Sequence, residues 1–205
     1  MADAPLARSP ITPAPPVATR FGWEVSARRS QAAVRLADRT PLSKVQIRAP
    51  ASGSVAERLK VPGGRARRDK TGTLVVCSRP GEWLLVGAPD GAAESLERDV
   101  TTGDEFVTVT DVTHGRALLR LTGTLGAAVL GKVCGIDFSE RVTPNGTALS
   151  TLVGRLVTDV VRDDVAGVRS YLLHCERSTG HHLYATLLDA GDEFGIDPDG
   201  FAYPG

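Results

Sequence analysis

The stretch TVTDVTHGRALLRLTG, residues 108–123, sets Asp111 three positions before His114, with Gly115 next and an alternating apolar run behind it. A carboxylate that orients an imidazole is half of an acid–base relay, which a nucleophile from elsewhere in the fold would complete. The same residue types also build a turn. Asp and Thr at a strand end make local side-chain hydrogen bonds to the backbone, and glycine lets the chain reverse. No nucleophile is placed nearby in the chain. The residues therefore favour a hairpin turn at Asp111 and His114 over a relay.

Other chemistry-bearing positions are sparse. His181 and His182 are adjacent, so on a helix they diverge by about 100° and cannot easily share a metal. His174 and Cys175 would face opposite sides of a strand. A metal site from Cys134, His174 and His181 would need the fold to assemble it, and their spacing does not support one. Gly123 and Gly126 precede a small-residue helix whose N-terminus can hold an anion, although small residues there more often permit close helix–sheet packing. The segment GGRARRDKTG, residues 63–72, crowds Arg65, Arg67, Arg68 and Lys70 into one loop. It offers a surface to phosphate or to an acidic partner, or is simply solvated. Asp159, Asp163 and Asp164 could form a carboxylate cluster, but RDDVAG has turn composition. Dinucleotide, P-loop, nucleophile-elbow and zinc-protease motifs are missing.

Composition bounds what these groups can serve. The chain has 205 residues, 41% hydrophobic and 23% charged, with 24 basic and 24 acidic side chains. That balance suits a soluble globular protein and lacks the basic excess of a nucleic-acid binder. Apolar runs such as WLLV fall far short of the roughly 20 residues of a membrane span. The N-terminus has no apolar signal core, and the three widely spaced cysteines, Cys77, Cys134 and Cys175, form no C-x-x-C pair. A cytoplasmic setting, with no membrane and no nucleic acid as partner, is expected.

The elements that would position these residues fall into an arm and a body. Residues 1–40 hold six arginines and three acids, and the run APLARSPITPAPPVATR contains five prolines. This reads as an extended N-terminal arm. Phe21 and Trp23 lie in it as aromatic anchors, for a partner or for the chain's own body. The body, residues 41–205, shows strand-helix-strand-strand-helix twice, in 43–100 and in 104–195. In the first unit SKVQIRA is a strand, SVAERLK a helix and TLVVCSRPGEWLLVG a hairpin around Pro80-Gly81. Trp83 alternates with Leu85 there as a core residue. GAAESLERDV closes the unit as a helix. In the second, FVTVTDV and RALLRLTG flank the opening turn, TLGAAVLGKVCG is a helix, and ALSTLVGRLVTDVVRDD is one long strand partnered by GVRSYLLHCER. The last helix, STGHHLYATLLDAG, can be capped by Ser178 or Thr179. The fold class is α+β, with two mostly antiparallel sheets covered by helices.

DVTHGRALLRLTG resembles the corresponding stretch of aminomethyltransferases, the folate-dependent T-proteins of glycine cleavage. The helix after it, the Pro144-Asn145-Gly146 turn and the strand with Asp159 follow in T-protein order. PLARSPI, SRPGEWLLVG, VTDVTHGRALLRLTG and LVTDVVRDD with RSYLLHCERSTGHHLYATLLDAGDEFGID more closely resemble the γ subunits of heterotetrameric sarcosine oxidases. That likeness covers about residues 40–200 and the N-terminal tag. It implies a T-protein-like α+β fold and a non-catalytic subunit beside α, β and δ partners. The assembly would demethylate sarcosine to glycine, producing hydrogen peroxide and 5,10-methylenetetrahydrofolate. FAD, FMN, NAD, tetrahydrofolate and zinc would sit in the partner subunits, with none in this chain and no catalytic residue of its own. Phe21, Trp23, Arg65, Arg67 and Arg68 are the candidate partner interface. T-proteins carry a Gly-Gly-x-x-Asp-Asp segment whose acid works on folate. Here the matching LVGRLVTDVV keeps only Asp159. A stand-alone folate-dependent transferase and a subunit of an N-methyl amino acid dehydrogenase are the alternatives.

Overall fold

The computed structural model describes residues 5–89 and 105–203. Three short strands come first, β1 (Ala7–Arg8), β2 (Val17–Arg20) and β3 (Trp23–Ser26), and they form a small sheet in the order β1-β3-β2. β4 (Val34–Asp38) and β5 (Ser43–Arg48) follow, then α1 (Ser54–Leu59), β6 (Arg65–Arg68), β7 (Leu74–Arg79), β8 (Glu82–Gly87) and β9 (Thr108–Asp111). The second half runs β10 (Arg116–Thr122), α2 (Gly126–Val133), β11 (Ala148–Val153), β12 (Leu156–Arg162), β13 (Ser170–Glu176), α3 (Gly180–Gly191) and β14 (Ile196–Asp199).

Two larger sheets carry the body. One is five-stranded in the order β6-β7-β8-β5-β9, the other six-stranded in the order β11-β12-β13-β10-β4-β14. Both share one antiparallel pattern, in which the second, third and fourth strands of a unit are followed by its first. The duplication legible in the sequence is thus a repeat of topology, with one more strand per unit than expected. The extra strand is β6 in the first unit and β11 in the second.

Period-two patterning explains the layers. Leu118, Val161 and Leu172 face Leu74, Val76 and Val86 across a core between the sheets. The alternate residues Leu119, Leu121, Val160 and Leu173 turn outward beneath Val129, Leu130, Leu183 and Leu187 of α2 and α3. On the far side Val45, Ile47, Val75 and Trp83 pack beneath Val55 of α1. The order of layers is helix, sheet, sheet, helix. The cysteines are free and buried. Among the described residues no helix is long and apolar enough to cross a membrane.

Several expectations need correction. The arm does not run to residue 40, because β4 is an inner strand of the six-stranded sheet, between β10 and β14. Leu36 faces Leu121 there, so burial outweighs the charged residues that made AVRLADR look like surface. Arg65–Arg68 is an edge strand and not a loop. The single strand expected over 148–162 is a hairpin. Gly154 and Arg155 turn it with φ values of 53° and 68°. Positive φ at both central residues matches the twist of the flanking strands. Thr179 occupies the N-cap position of α3 but makes no capping bond with its side chain. Its hydroxyl donates to the Glu176 carbonyl instead, at 3.0 Å. The helix expected in GAAESLERDV lies outside the described residues.

Candidate functional site

The opening motif joins two sheets. β9 pairs with β5 and β10 with β13 and β4, so the segment between them is a crossing and not a hairpin. The turn itself holds. Asp111 Oδ1 accepts the Thr113 N–H at 2.7 Å, and the Gly115 N–H donates to the Val112 carbonyl at 3.0 Å. Thr113 Oγ1 in turn accepts the Lys44 N–H at 2.9 Å. His114 has a different neighbour. Its ring stacks on Trp23 with centroids 4.7 Å apart and planes 7° from parallel. Carboxylate and imidazole serve separate neighbours, as a connector requires.

The candidate interface residues are scattered. Trp23 is buried with Val25 and Phe201, so it docks on the chain's own body. Phe21 is 50% exposed and meets Phe201 and Tyr203 edge-on at 6.3 and 6.4 Å. Arg65 and Arg67 are exposed on β6, and Arg67 donates to the Leu59 carbonyl at 2.8 Å. Arg68 is exposed as well, at the rim of the layer between the sheets, and donates to Asp163 Oδ2 at 2.6 Å.

That layer holds buried polar groups that sequence reasoning passed over. Arg120 donates to Asp163 Oδ2 at 2.7 Å, to the Asp163 carbonyl at 3.0 Å and to Ser170 Oγ at 2.8 Å. Burial lowers the Arg120 pKa, against the pull of Asp163. Arg39 is buried too, donating to the Ala202 carbonyl and lying 5.7 Å from the Phe201 ring centre. Burial, with the Arg120 charge second, brings its pKa down to about 10. Lys44 is fully buried, and its Nζ donates to the Thr40 and Leu42 carbonyls at 2.6 and 2.7 Å. Desolvation lowers it to about 7, although Asp38 and Asp111 pull it upward. The signal for these groups was present: a charge inside an alternating apolar run, as in ALLRLTG and SKVQIRA, must be paired or shifted once the strand is buried.

At another place in the layer Asp159 and His174 face each other across β12 and β13, with Oδ2 and Nδ1 3.6 Å apart. Burial lowers the His174 pKa and favours a neutral ring. Burial alone would raise Asp159, but the His174 ring and the Ser150 hydroxyl more than offset it and hold the acid below its usual range. Asp159 Oδ1 and His174 Nε2 find no hydrogen-bond partner. The recess they share, with Gln46 and Leu84 among its walls, measures about 20 Å³.

Asp163 and Asp164 do not act as a free carboxylate cluster: Asp163 serves Arg68 and Arg120, and Asp164 Oδ2 accepts from Arg162 at 2.9 Å. Cys134, His174 and His181 are not brought together, and no metal-binding group of three or more His, Cys, Asp or Glu occurs among the described residues. A Cβ on Gly123, whose φ is +134°, would lie 2.1 Å from the Ala33 carbonyl oxygen. That glycine permits close packing against the approach to β4.

A protein-family model for the GCVT N-terminal domain matches residues 64–202, more than half of the chain. The chain belongs to the GCVT N-terminal domain family. Among curated proteins this domain is similar to the sarcosine oxidase γ subunit of Corynebacterium sp. (strain P-1), 29% identical over 76% of this chain and 79% of that one. Among solved structures it resembles a chain of the heterotetrameric sarcosine oxidase of Corynebacterium sp. U-96, determined with pyrrole 2-carboxylate. The TM-score is 0.69 at 24% identity, covering 83% of this chain and 90% of that one. It also resembles glycine cleavage aminomethyltransferase T of Bartonella henselae, with a TM-score of 0.68 at 16% identity, over 90% of this chain and 55% of that one. The mixed α+β, T-protein-like fold is therefore shared.

The family likeness raises folate, and the residues answer it. The one acid of the T-protein pattern retained in this GCVT N-terminal domain, Asp159, opens on a recess of about 20 Å³. That volume holds about one water molecule and no pteridine. The groups present at Asp159 do not fit folate.

Proposed function

We propose that this chain is a non-catalytic structural subunit of a heterotetrameric sarcosine oxidase. Such an assembly oxidatively demethylates sarcosine to glycine, forming hydrogen peroxide and passing the methyl carbon to tetrahydrofolate as methylene. The observation that carries the reading is the span of the similarity to the Corynebacterium γ subunit, which runs over 76% of this chain and 79% of its relative. A domain shared between unrelated assemblies would match only a part of one of them. The use of the candidate groups supports the same reading, since Asp111 holds a turn and Asp163 serves two arginines.

In this reading the partners are α, β and δ subunits in the cytoplasm, and FAD, FMN, NAD, tetrahydrofolate and zinc reside in them. Phe21, Arg65, Arg67 and Arg68 are the exposed residues of the interface. Trp23 shapes it from beneath, and Arg68 braces β6 against the six-stranded sheet. Co-expression with α, β and δ genes tests the proposal. The chain is expected to co-purify in a four-subunit complex that turns over sarcosine. Elution of the chain alone, beside a fully active complex of the other three, would refute it. Tight tetrahydrofolate binding by the isolated chain would favour a stand-alone transferase instead.

A further inference from the structure

A cleft of about 240 Å³ opens at the edge of the layer between the two sheets. Leu42, Leu74, Val86 and Leu172 supply an apolar wall, and the guanidinium-bearing residues Arg39, Arg68 and Arg120 line it as well. Among the described residues the charges do not balance. Arg68 and Arg120 share a single carboxylate, Asp163, at 2.6 and 2.7 Å. Arg39 makes no ion pair among the described residues, and its named contacts are the neutral Ala202 carbonyl and the Phe201 ring. Asp38 and Asp199 reach it only through space. Asp38 is itself bonded to the Thr40 N–H at 2.9 Å, and Asp199 Oδ1 accepts from the N–H groups of Ser30 and Gly200.

Burying a cation with no carboxylate bonded to it is costly, and burial holds the Arg39 pKa down in spite of Asp38 and Asp199. A guanidinium presents a planar fork that fits a carboxylate through two parallel hydrogen bonds. An aliphatic wall beside such a fork favours an apolar body attached to the carboxylate. We propose that this cleft is a binding site for a small organic carboxylate with an aliphatic body, held at its charged end by Arg39. Phosphate suits it less well, because among the described residues two of the three guanidinium groups already share Asp163 and much of the wall is apolar. The site is independent of the subunit role proposed above, so either can fail without the other.

Titration calorimetry on the folded full-length chain tests this with hexanoate, its neutral analogue hexanamide and inorganic phosphate. Hexanoate is expected to bind one to one, at least tenfold more tightly than hexanamide or phosphate. Equal affinity for hexanoate and hexanamide, tighter binding of phosphate, or no saturable heat with hexanoate would each overturn the proposal. Arg39→Gln should weaken hexanoate at least tenfold. Because Arg39 also ties down the Ala202 carbonyl, Thr73→Trp gives a second route, filling the cleft without touching a guanidinium. Loss of hexanoate binding in a folded Thr73→Trp chain supports the site, and unchanged binding there refutes it.

Discussion

The two large sheets repeat one strand order, yet their outer faces and their shared inner layer are built from different chemistry. Among the described residues, eighteen form the cluster between the six-stranded sheet and α2 and α3, which pack on each other. Among the described residues, eight are buried between the five-stranded sheet and the six-residue α1. Between them lies a third cluster of eight, to which both contribute. The ordinary polar rim of a sheet has moved inside this shared layer: Lys44, Arg120, Asp163 and His174 are all buried. A duplicated unit needs only its apolar alternation to fold. Joining two such units face to face turns residues that each sheet would have left in water into buried ion pairs and a shifted lysine. The outer faces are apolar, and the shared inner layer is where charges are buried.

The largest expected effect tests whether the two halves unfold together. Leu119→Ala in the larger core and Ile47→Ala in the smaller each remove a side chain that is 0% exposed. Each should cost about 3–4 kcal/mol. If the shared cluster couples the sheets, guanidinium titrations followed by far-UV circular dichroism and by tryptophan fluorescence should coincide in both variants. Trp83 reports the smaller core. An Ile47→Ala chain whose fluorescence transition precedes its dichroism would mean that the five-stranded sheet melts alone.

The next effect concerns the inner chemistry. Asp163→Asn leaves Arg120 and Arg68 facing one neutral group, and a loss of about 3 kcal/mol is expected. Arg162 and Asp164 offer an internal contrast, since Asp164 is less buried and its arginine also reaches Glu140 at 2.6 Å. Asp164→Asn should cost no more than about 1 kcal/mol. Equal losses in the two variants, read from denaturation midpoints, would erase the distinction between the shared layer and its rim.

Lys44 sharpens the comparison through pH. Its folded pKa of about 7 lies below the ordinary lysine value of 10.5, so between those limits the unfolded chain binds the extra proton. Stability should then rise with pH across that window and be lost as pH falls toward 7, by on the order of 2 kcal/mol after local relaxation. A neutral amine keeps two N–H donors, which matches its two carbonyl acceptors, Thr40 and Leu42. Lys44→Met should flatten the rise. A slope unchanged in that variant would move its origin to another group.

Much of this architecture was legible because it is local. The hairpin around Pro80-Gly81, the helices after Gly123 and Ser178, and the repeat itself follow from periodicity over a few residues. What was missed is set by distant pairing. β4 looked like arm because Arg35, Asp38 and Arg39 interrupt its apolar residues, and its partner β10 lies some 80 residues along the chain. β9 and β10 looked like a hairpin because nothing in DVTHG says that its two ends belong to different sheets. Trp23 was open between partner and self because a short aromatic arm carries no record of the body it packs on. Of the candidate site, Asp111 was readable through its turn chemistry. The arginine cleft was not, since Arg39, Arg68 and Arg120 meet only after both sheets close.

The smallest effect returns to the crossing between the halves. Asp111 Oδ1 accepts one short backbone hydrogen bond, from the Thr113 N–H. Asp111→Ala removes that acceptor and should lower stability by about 1 kcal/mol. Asp111→Asn keeps an oxygen in the same place and should stay within about 0.5 kcal/mol of the parent chain. A relay makes the opposite demand, because it needs the charge and not merely the oxygen. Both variants would then abolish turnover in a fully assembled complex, whatever their stability. Comparing denaturation midpoints with activity in this pair of substitutions separates a connector from a catalyst. The stacking of His114 on Trp23, away from any role as the carboxylate's partner, is why the connector outcome is expected.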